Sequence, residues 1–211
     1  MPTRTSKPPT VSRRQLQRAA SVARIVTAAE ELMSQSARYS EISVEHVISR
    51  AGVSRSTFYS YFDDMGHLLR VVGEGVVAEV VSSAREWMDL DADITEIQLH
   101  SIFTGLILTY RRRSKLLAAL AEASTYDAAV RDEFHGMLSI GHVEVAKHIR
   151  RAQASGMARD DIDPDVTAAW LVWMIERGLY QQVRPAPADQ LDRHAAGLAS
   201  IVWHALYVQP R

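Results

Sequence analysis

From Ser21 to the far end of the chain, apolar residues recur every three or four positions, and no segment alternates apolar and polar side chains for more than a few residues. Side chains three and four apart share one face of a helix, whereas a strand needs a period of two. Such a chain is confined to all-α folds. Val22, Ile25, Val26, Ala29, Leu32 and Met33 form one stripe that ends near Ser36, and Val44, Val47, Ile48 and Ala51 form a second, shorter one. The spacing predicts a third short helix from Arg55 to about Tyr61 and a fourth from about Met65 to Trp87. Beyond Asp91 it predicts five more, roughly 95–110, 114–124, 129–155, 164–183 and 188–207. Gly156 closes one of these, Asp163-Pro164 opens the next with a cap and a proline at the first helical position, and Arg184-Pro185-Ala186-Pro187 breaks the chain before the last. The sequence has no Asn, so caps and turns fall to Ser, Thr, Asp and Gly. The expectation is an all-α protein of about nine helices without internal repeats.

With 47% apolar and 23% charged residues, a chain of 211 residues has ample material for a buried core and is not of disordered composition. It has no cysteine, which excludes disulfides, thiolate metal sites and thiol nucleophiles. Met1 to Ala20 carries basic residues with no apolar run behind them, unlike a secretory signal, and eighteen consecutive apolar residues occur nowhere. A cytoplasmic protein with no membrane partner is expected. The net charge of −1 conceals an asymmetry. Residues 1–61 hold nine Lys/Arg against four acids, a net of +5, and the remainder carries −6. A basic head on an acidic body suits a protein that presents one end to a polyanion. Three segments follow: a disordered basic arm over 1–20, a basic head over 21–64, and a body over 65–211.

Residues 42–62 carry the function. Ser43 is placed to cap one helix, with Ile42 before it and Val47 inside it as a hydrophobic staple. Ala51 ends that helix, and Gly52 supplies the left-handed residue a tight stop requires. Ser54 then caps the next, with Val53 stapled against Phe58. Two short helices joined by a tight turn containing Gly make a helix-turn-helix over 43–62. On the second helix Phe58 and Phe62 point to the core, which leaves Arg55, Ser56, Thr57, Tyr59 and Ser60 outward or near its start. Arg reads guanine, Ser and Thr adapt to several acceptors, and a Tyr hydroxyl reaches phosphate. An ordinary solvent-facing helix is the alternative; two tyrosines and no acid on so short a face speak against it.

The run Gly52-Val-Ser-Arg-Ser-Thr-Phe-Tyr-Ser-Tyr-Phe62, followed by Leu68-Leu69, resembles the DNA-binding domain of the TetR family of transcriptional regulators. Asp161-Ile-Asp-Pro-Asp165, Met174-Ile-Glu-Arg177 and Ile201-Val-Trp-His-Ala-Leu-Tyr207 are similar to the C-terminal helices of that family, in the branch of the mycobacterial ethionamide-resistance repressor. The resemblance spans about 21–207 and is specific in the helix-turn-helix, weak over 90–160. It implies a three-helix head, a fourth helix linking it to the body, and a body that dimerises through helices eight and nine. By motif position Arg55, Ser56, Thr57 and Ser60 would face bases, and Ser43, Ser54, Tyr59 and Tyr61 would hold phosphates. Two positions depart from the pattern. Met65 stands where members commonly carry a phosphate-binding Lys, and Glu45 is acidic where some are basic. Glu45 either accepts from a cytosine amine or faces water, and water is the expectation.

Other constellations are plainer. The eight histidines show no metal-ligand spacing, so no metal, cofactor or catalytic residue is assigned. Gly73 and Gly75 lie within a helical stripe, follow no strand, and suit a bend or close packing rather than a phosphate loop. Arg111-Arg-Arg-Ser-Lys115 reads as a solvated corner at a helix end. Large side chains at helical spacing suit ordinary core packing one by one. As a set, Trp87, Phe103, Leu106, Tyr110, Phe134, Met137, Trp170, Trp173 and Met174, with Leu138 and Tyr180, suit a pliable apolar pocket. Leu179, Val183, Leu198, Ile201 and Val202 are the expected dimer interface. The expected function is a homodimeric, ligand-responsive repressor on a palindromic operator, released by a small, mostly apolar effector. The alternative is an all-α enzyme or binding protein whose basic head is incidental.

Overall fold

The computed structural model describes residues 13–36, 38–90 and 94–208, with the side chains of residues 13 and 14 excepted. Nine α-helices lie among them: α1 Arg13–Gln35, α2 Val44–Ala51, α3 Arg55–Tyr59, α4 Met65–Ser83, α5 Arg85–Asp89, α6 Glu96–Ala123, α7 Ala128–Ala154, α8 Pro164–Gly178 and α9 Leu191–Leu206. The chain divides into two compact units, Met1–Leu68 and Leu69–Arg211.

In the first unit α1 packs on α2 and α2 on α3. Ile25, Ala29, Met33, Val47, Phe58 and Phe62 are buried together with Tyr39 and Ile42 from a single 3₁₀ turn between α1 and α2. Residues 13–20, read from sequence as part of a disordered arm, belong to α1. Their side chains from Gln15 onward are exposed, so no apolar stripe betrays the helix. Residues 1–12 of that arm lie outside the described residues.

In the second unit α6 packs along α9 and α7 along α8. Asp163 caps α8 by accepting from the backbone N–H groups of Asp165 and Val166, with Pro164 at the first position, as the sequence predicts. Three expectations are corrected. The helix expected to run to Trp87 breaks at Ala84 into α4 and α5. The two helices expected over 95–110 and 114–124 are one, α6. Its basic run lies mid-helix because its arginines find partners there, Arg111 and Arg113 on other elements and Arg112 one turn back on α6. Arg111 donates to the Val183 carbonyl at 2.9 Å, Arg112 to the Thr109 hydroxyl and Arg113 to the Glu79 carboxylate. Finally, α8 passes into a π turn over Leu179–Val183, whose carbonyl end Arg111 holds.

Two glycines on α4 have different reasons to be there. A Cβ on Gly73 would stand 2.7 Å from Cδ2 of Leu120, a side chain only 1% exposed, so α4 and α6 meet here with no room for a methyl group. A Cβ on Gly75 would meet nothing within 4 Å. Gly75→Ala is therefore expected to stabilise the protein by about 1 kcal/mol through helix propensity alone. Gly73→Ala is expected to lose that gain, and about 1–3 kcal/mol besides, to overpacking. Equilibrium urea unfolding of the two variants measures the difference.

The chain end is tied down by polar groups. Beyond α9, Arg159 donates its backbone N–H to the Leu206 carbonyl and Val208 donates to that of Met157, both at 2.8 Å. The buried Trp87 indole donates to the Tyr207 hydroxyl at 2.8 Å, and the same hydroxyl lies 2.7 Å from Nε2 of His148. Besides accepting from Trp87, the hydroxyl keeps one proton and a second lone pair, so it can donate to His148 or accept from it, according to the imidazole tautomer. Burial pushes the Tyr207 hydroxyl up to about 12, against the pull of the Trp87 hydrogen bond. Trp87 thereby joins α5 to α7 and the C-terminal segment.

Candidate nucleic-acid interface and ligand cavity

The helix-turn-helix is built from local signals. The Ser43 hydroxyl accepts from the His46 backbone N–H at 3.3 Å, and Nδ1 of His46 accepts from the Ser43 N–H, a reciprocal cap with His in the place Glu usually takes. Gly52 ends α2 at φ +62°, where only glycine is free of strain. Ser54 caps α3 by accepting from the Thr57 N–H at 3.1 Å, and its hydroxyl is also hydrogen-bonded to those of Ser56 and Thr57.

Phe58, fully buried, turns the rest of α3 outward. Ser54, Arg55, Ser56, Tyr59 and Ser60 are exposed, and Thr57, Tyr61 and Ser43 are half-buried. The Arg55 guanidinium lies over the Tyr59 ring, 5.5 Å from its centroid, and pairs with the Glu45 carboxylate. Glu45 is exposed to water as expected and carries this ion pair besides. Its own backbone N–H, more than the charge and hydrogen bond of Arg55, holds that carboxyl below the usual range. Both partners are well exposed, so the pair is weak and readily exchanged for a better one. A second cation was missed by the sequence reading. Arg18 of α1 lies over the Tyr61 ring at 5.5 Å, and Gln15, Arg18, Ser21, Thr57, Ser60 and Tyr61 line one open groove. Treating residues up to 20 as disordered hid this neighbour.

The start of α4, where Met65 stands in place of the family's common Lys, is flanked by acids. Asp64 accepts from the His67 backbone N–H at 2.7 Å, Nδ1 of His67 accepts from the Asp63 N–H, and both carboxylates are exposed. Two acids beside the helix start disfavour an anion there.

The second unit encloses an apolar cavity of about 100 Å³. Of the expected pocket residues, Trp87, Phe103, Leu106, Tyr110 and Phe134 line it, as do Leu138 and Tyr180. Met137, Trp170, Trp173 and Met174 do not. Trp170 is 75% exposed, Met174 lies on a separate cleft with Leu198 and Ile201, and Trp173 packs edge-on against His135 at 5.0 Å. The reason is that α8 is apolar all round from Ala168 to Ile175, and of its side chains only Val172, Ile175 and Glu176 line the cavity, while Ala168 and Leu171 are buried elsewhere in the core. The α4 wall of the cavity, Val77, Val80 and Val81, was missed because any helical stripe accounts for it.

Two polar groups interrupt the apolar lining. The Tyr110 hydroxyl and Oε2 of Glu176 are buried with no hydrogen-bond partner. Burial pushes the Glu176 carboxyl up, with Arg177 and His135 pulling it back, and burial likewise raises the Tyr110 hydroxyl, with Glu176 adding to the rise. A lone acid closing the eight-residue apolar run Ala168–Ile175 is the signal that would have found it.

The expected dimer residues divide. Leu179, Val183 and Val202 are at most 5% exposed and serve the chain's own core, which corrects their assignment to a surface. Leu198 is half-buried and Ile201 exposed, on the same side of the fold as the exposed stripe Val166, Trp170 and Met174 of α8 in so far as Met174, Leu198 and Ile201 share a cleft. Among the described residues no group of three His, Asp or Glu is placed to hold a metal, and no helix is long and apolar enough to cross a membrane.

Comparison with known proteins gives two family matches. Residues 25–72 match the bacterial regulatory proteins of the tetR family, and residues 99–208 match the C-terminal domain of the transcriptional regulator EthR. Among curated proteins none is similar in sequence. Among solved structures, a putative transcriptional regulator from Saccharomonospora viridis in complex with choline is 19% identical with a TM-score of 0.71, over 90% of this chain and 100% of that one. The fatty acid degradation regulator of Bacillus halodurans is 15% identical with a TM-score of 0.70, over 86% and 94%. A putative TetR-family regulator from Mesorhizobium loti is 19% identical with a TM-score of 0.67, over 91% and 99%. At these identities the likeness is one of fold.

Proposed function

The chain belongs to the TetR family of bacterial transcriptional regulators, and from that premise we propose that it is a cytoplasmic repressor that holds a palindromic operator as a homodimer and releases it when a small, mostly apolar effector binds. The family's members are regulators rather than enzymes. The observation that carries the reading is the outer face of α3. Arg55, Ser56, Tyr59 and Ser60 stand exposed on a helix capped at Ser54 and anchored by Phe58. A rigid element bearing an arginine and hydroxyls is what major-groove readout requires. Ser43, Ser54, Tyr59 and Tyr61, with Arg18, are proposed to settle the head on flanking phosphates.

Release is proposed to be a population shift. The cavity's free volume suits a small ring at most, so a longer effector must push its walls apart. One wall is Val77, Val80 and Val81 of α4, and α4 is covalently continuous with the DNA-binding unit. An effector that prefers a displaced α4 lowers the population able to fit two successive major grooves.

Arg55→Ala is expected to cost about 1–3 kcal/mol of operator affinity and to relax the preference at one base pair of each half-site. Binding-site selection with both proteins measures this. Unchanged affinity and unchanged base preference would remove Arg55 from the reading face.

A further inference from the structure

The cavity's chemistry goes further than an apolar effector. Phe103 and Tyr110 both line it and lie seven residues apart on α6, a separation of about 10 Å along a helix. Around Phe103 the walls are apolar: Trp87 packs edge-on at 5.5 Å with its indole N–H already given to Tyr207, and Leu106, Leu138 and Val145 complete the lining. At Tyr110 the character changes. The Tyr110 hydroxyl and the Glu176 carboxylate oxygen Oε2 are both buried, both lack a hydrogen-bond partner, and both residues line the same cavity. A buried polar group without a partner costs about 1–3 kcal/mol, more when it is charged. Two such groups at one end of an apolar cavity are a recognition site awaiting its donor.

The nearby cations do not fill that role. Nε of Arg177 approaches Oε2 of Glu176 only to 3.7 Å, beyond hydrogen-bonding distance, and that arginine side chain is 60% exposed. Arg111 is committed to the carbonyls of Val183 and Arg184, and Arg184 lies over the Tyr180 ring at 4.5 Å. None of the three lines the cavity. An anionic head group would meet Glu176 with no cation to receive it. A neutral hydroxyl donates one hydrogen bond, whereas two acceptors stand open. A primary ammonium carries three donors and the complementary charge.

We propose that the effector is an amphiphilic amine, its apolar body lying along α6 from Phe103 and its ammonium group held by Glu176 and the Tyr110 hydroxyl. The inference rests on the reading of this cavity as the effector site. The ammonium donates to the Glu176 carboxylate, where both partners carry charge, and to the Tyr110 hydroxyl, where only the donor does. Glu176 thereby sets head-group specificity while the apolar walls set body length.

The test uses three probes of one body and different heads: octylamine, 1-octanol and octanoate, titrated calorimetrically into the full chain. Octylamine is expected to bind about tenfold or more tightly than 1-octanol, with octanoate weakest. E176Q, isosteric and uncharged, is expected to bring octylamine to the level of 1-octanol while 1-octanol binds as before, and Y110F to weaken octylamine by a smaller factor. Unchanged 1-octanol binding in each variant shows that the cavity is still formed. Equal binding of amine and alcohol by the natural chain, or an amine preference that survives E176Q, overturns the head-group assignment and leaves the effector cavity standing. Binding of none of the three overturns the cavity as effector site, and the head-group assignment with it.

Discussion

Replacing Phe58 by alanine is expected to abolish operator binding while residues 69–211 stay folded and keep their ligand cavity. Phe58 is fully buried, packs edge-on against Tyr59 at 5.3 Å and tilts against Phe62 at 5.6 Å. Emptying such a site costs about 3–5 kcal/mol. The unit that holds it ends at Leu68, and a domain of that size keeps only a few kcal/mol of net stability. The loss therefore consumes most of what holds α1, α2 and α3 together, and with it the orientation of Arg55 and Tyr59. Phe58→Leu, which refills part of the space, is expected to restore much of the binding. Operator titration and calorimetric octylamine binding, run side by side, separate the two units. A Phe58→Ala protein with natural operator affinity would show that α3 does not depend on this anchor.

The second large effect is expected at Trp170. Val166, Trp170 and Met174 recur every four residues on the outside of α8, 57%, 75% and 36% exposed, and Ile201 of α9 is 53% exposed. An apolar stripe of this size on such a regulator is best covered by a second copy, and a two-fold interface meets every residue twice. A central tryptophan is worth about 2 kcal/mol or more in such an interface. Trp170→Glu is thus expected to weaken dimerisation by about 4 kcal/mol or more, roughly a thousandfold. Sedimentation should then give the 23.5 kDa chain alone, with operator binding correspondingly weak. Ile201→Glu is expected to act in the same direction. Trp170 is a cleaner site than Val202, which is fully buried in its own chain and would unfold the protein if charged. A Trp170→Glu protein that remains dimeric would move the interface to another face.

How much of this was legible in the sequence depended on whether the deciding signal was local. The helix-turn-helix was, because Ser43, Gly52, Ser54, Phe58 and Phe62 each fix a cap, a stop or a buried contact within twenty residues. The α8 cap at Asp163-Pro164 was legible for the same reason. Periodicity failed where a helix is apolar on several faces. Between Ala168 and Ile175 it cannot separate the inward Val172 from the outward Trp170, and on α9 Ile201 and Val202 are adjacent in sequence yet a third of a turn apart. It failed at α6 because a cluster of arginines was taken for a helix end, when their partners, Glu79 and the Val183 carbonyl, are more than thirty residues away in the chain. Arg18 was missed because a polar stretch of helix has no apolar stripe to announce it.

The central claim, that α3 reads a specific operator, is tested most directly by enriching random genomic fragments on the purified full chain and sequencing what is retained. The account predicts a short inverted repeat whose half-sites are centred about one helical turn, or a multiple of it, apart. It also predicts that the repeat is recovered far less sharply by Arg55→Ala. Recovery of fragments without a shared sequence, at an affinity no better than for bulk DNA, would contradict it.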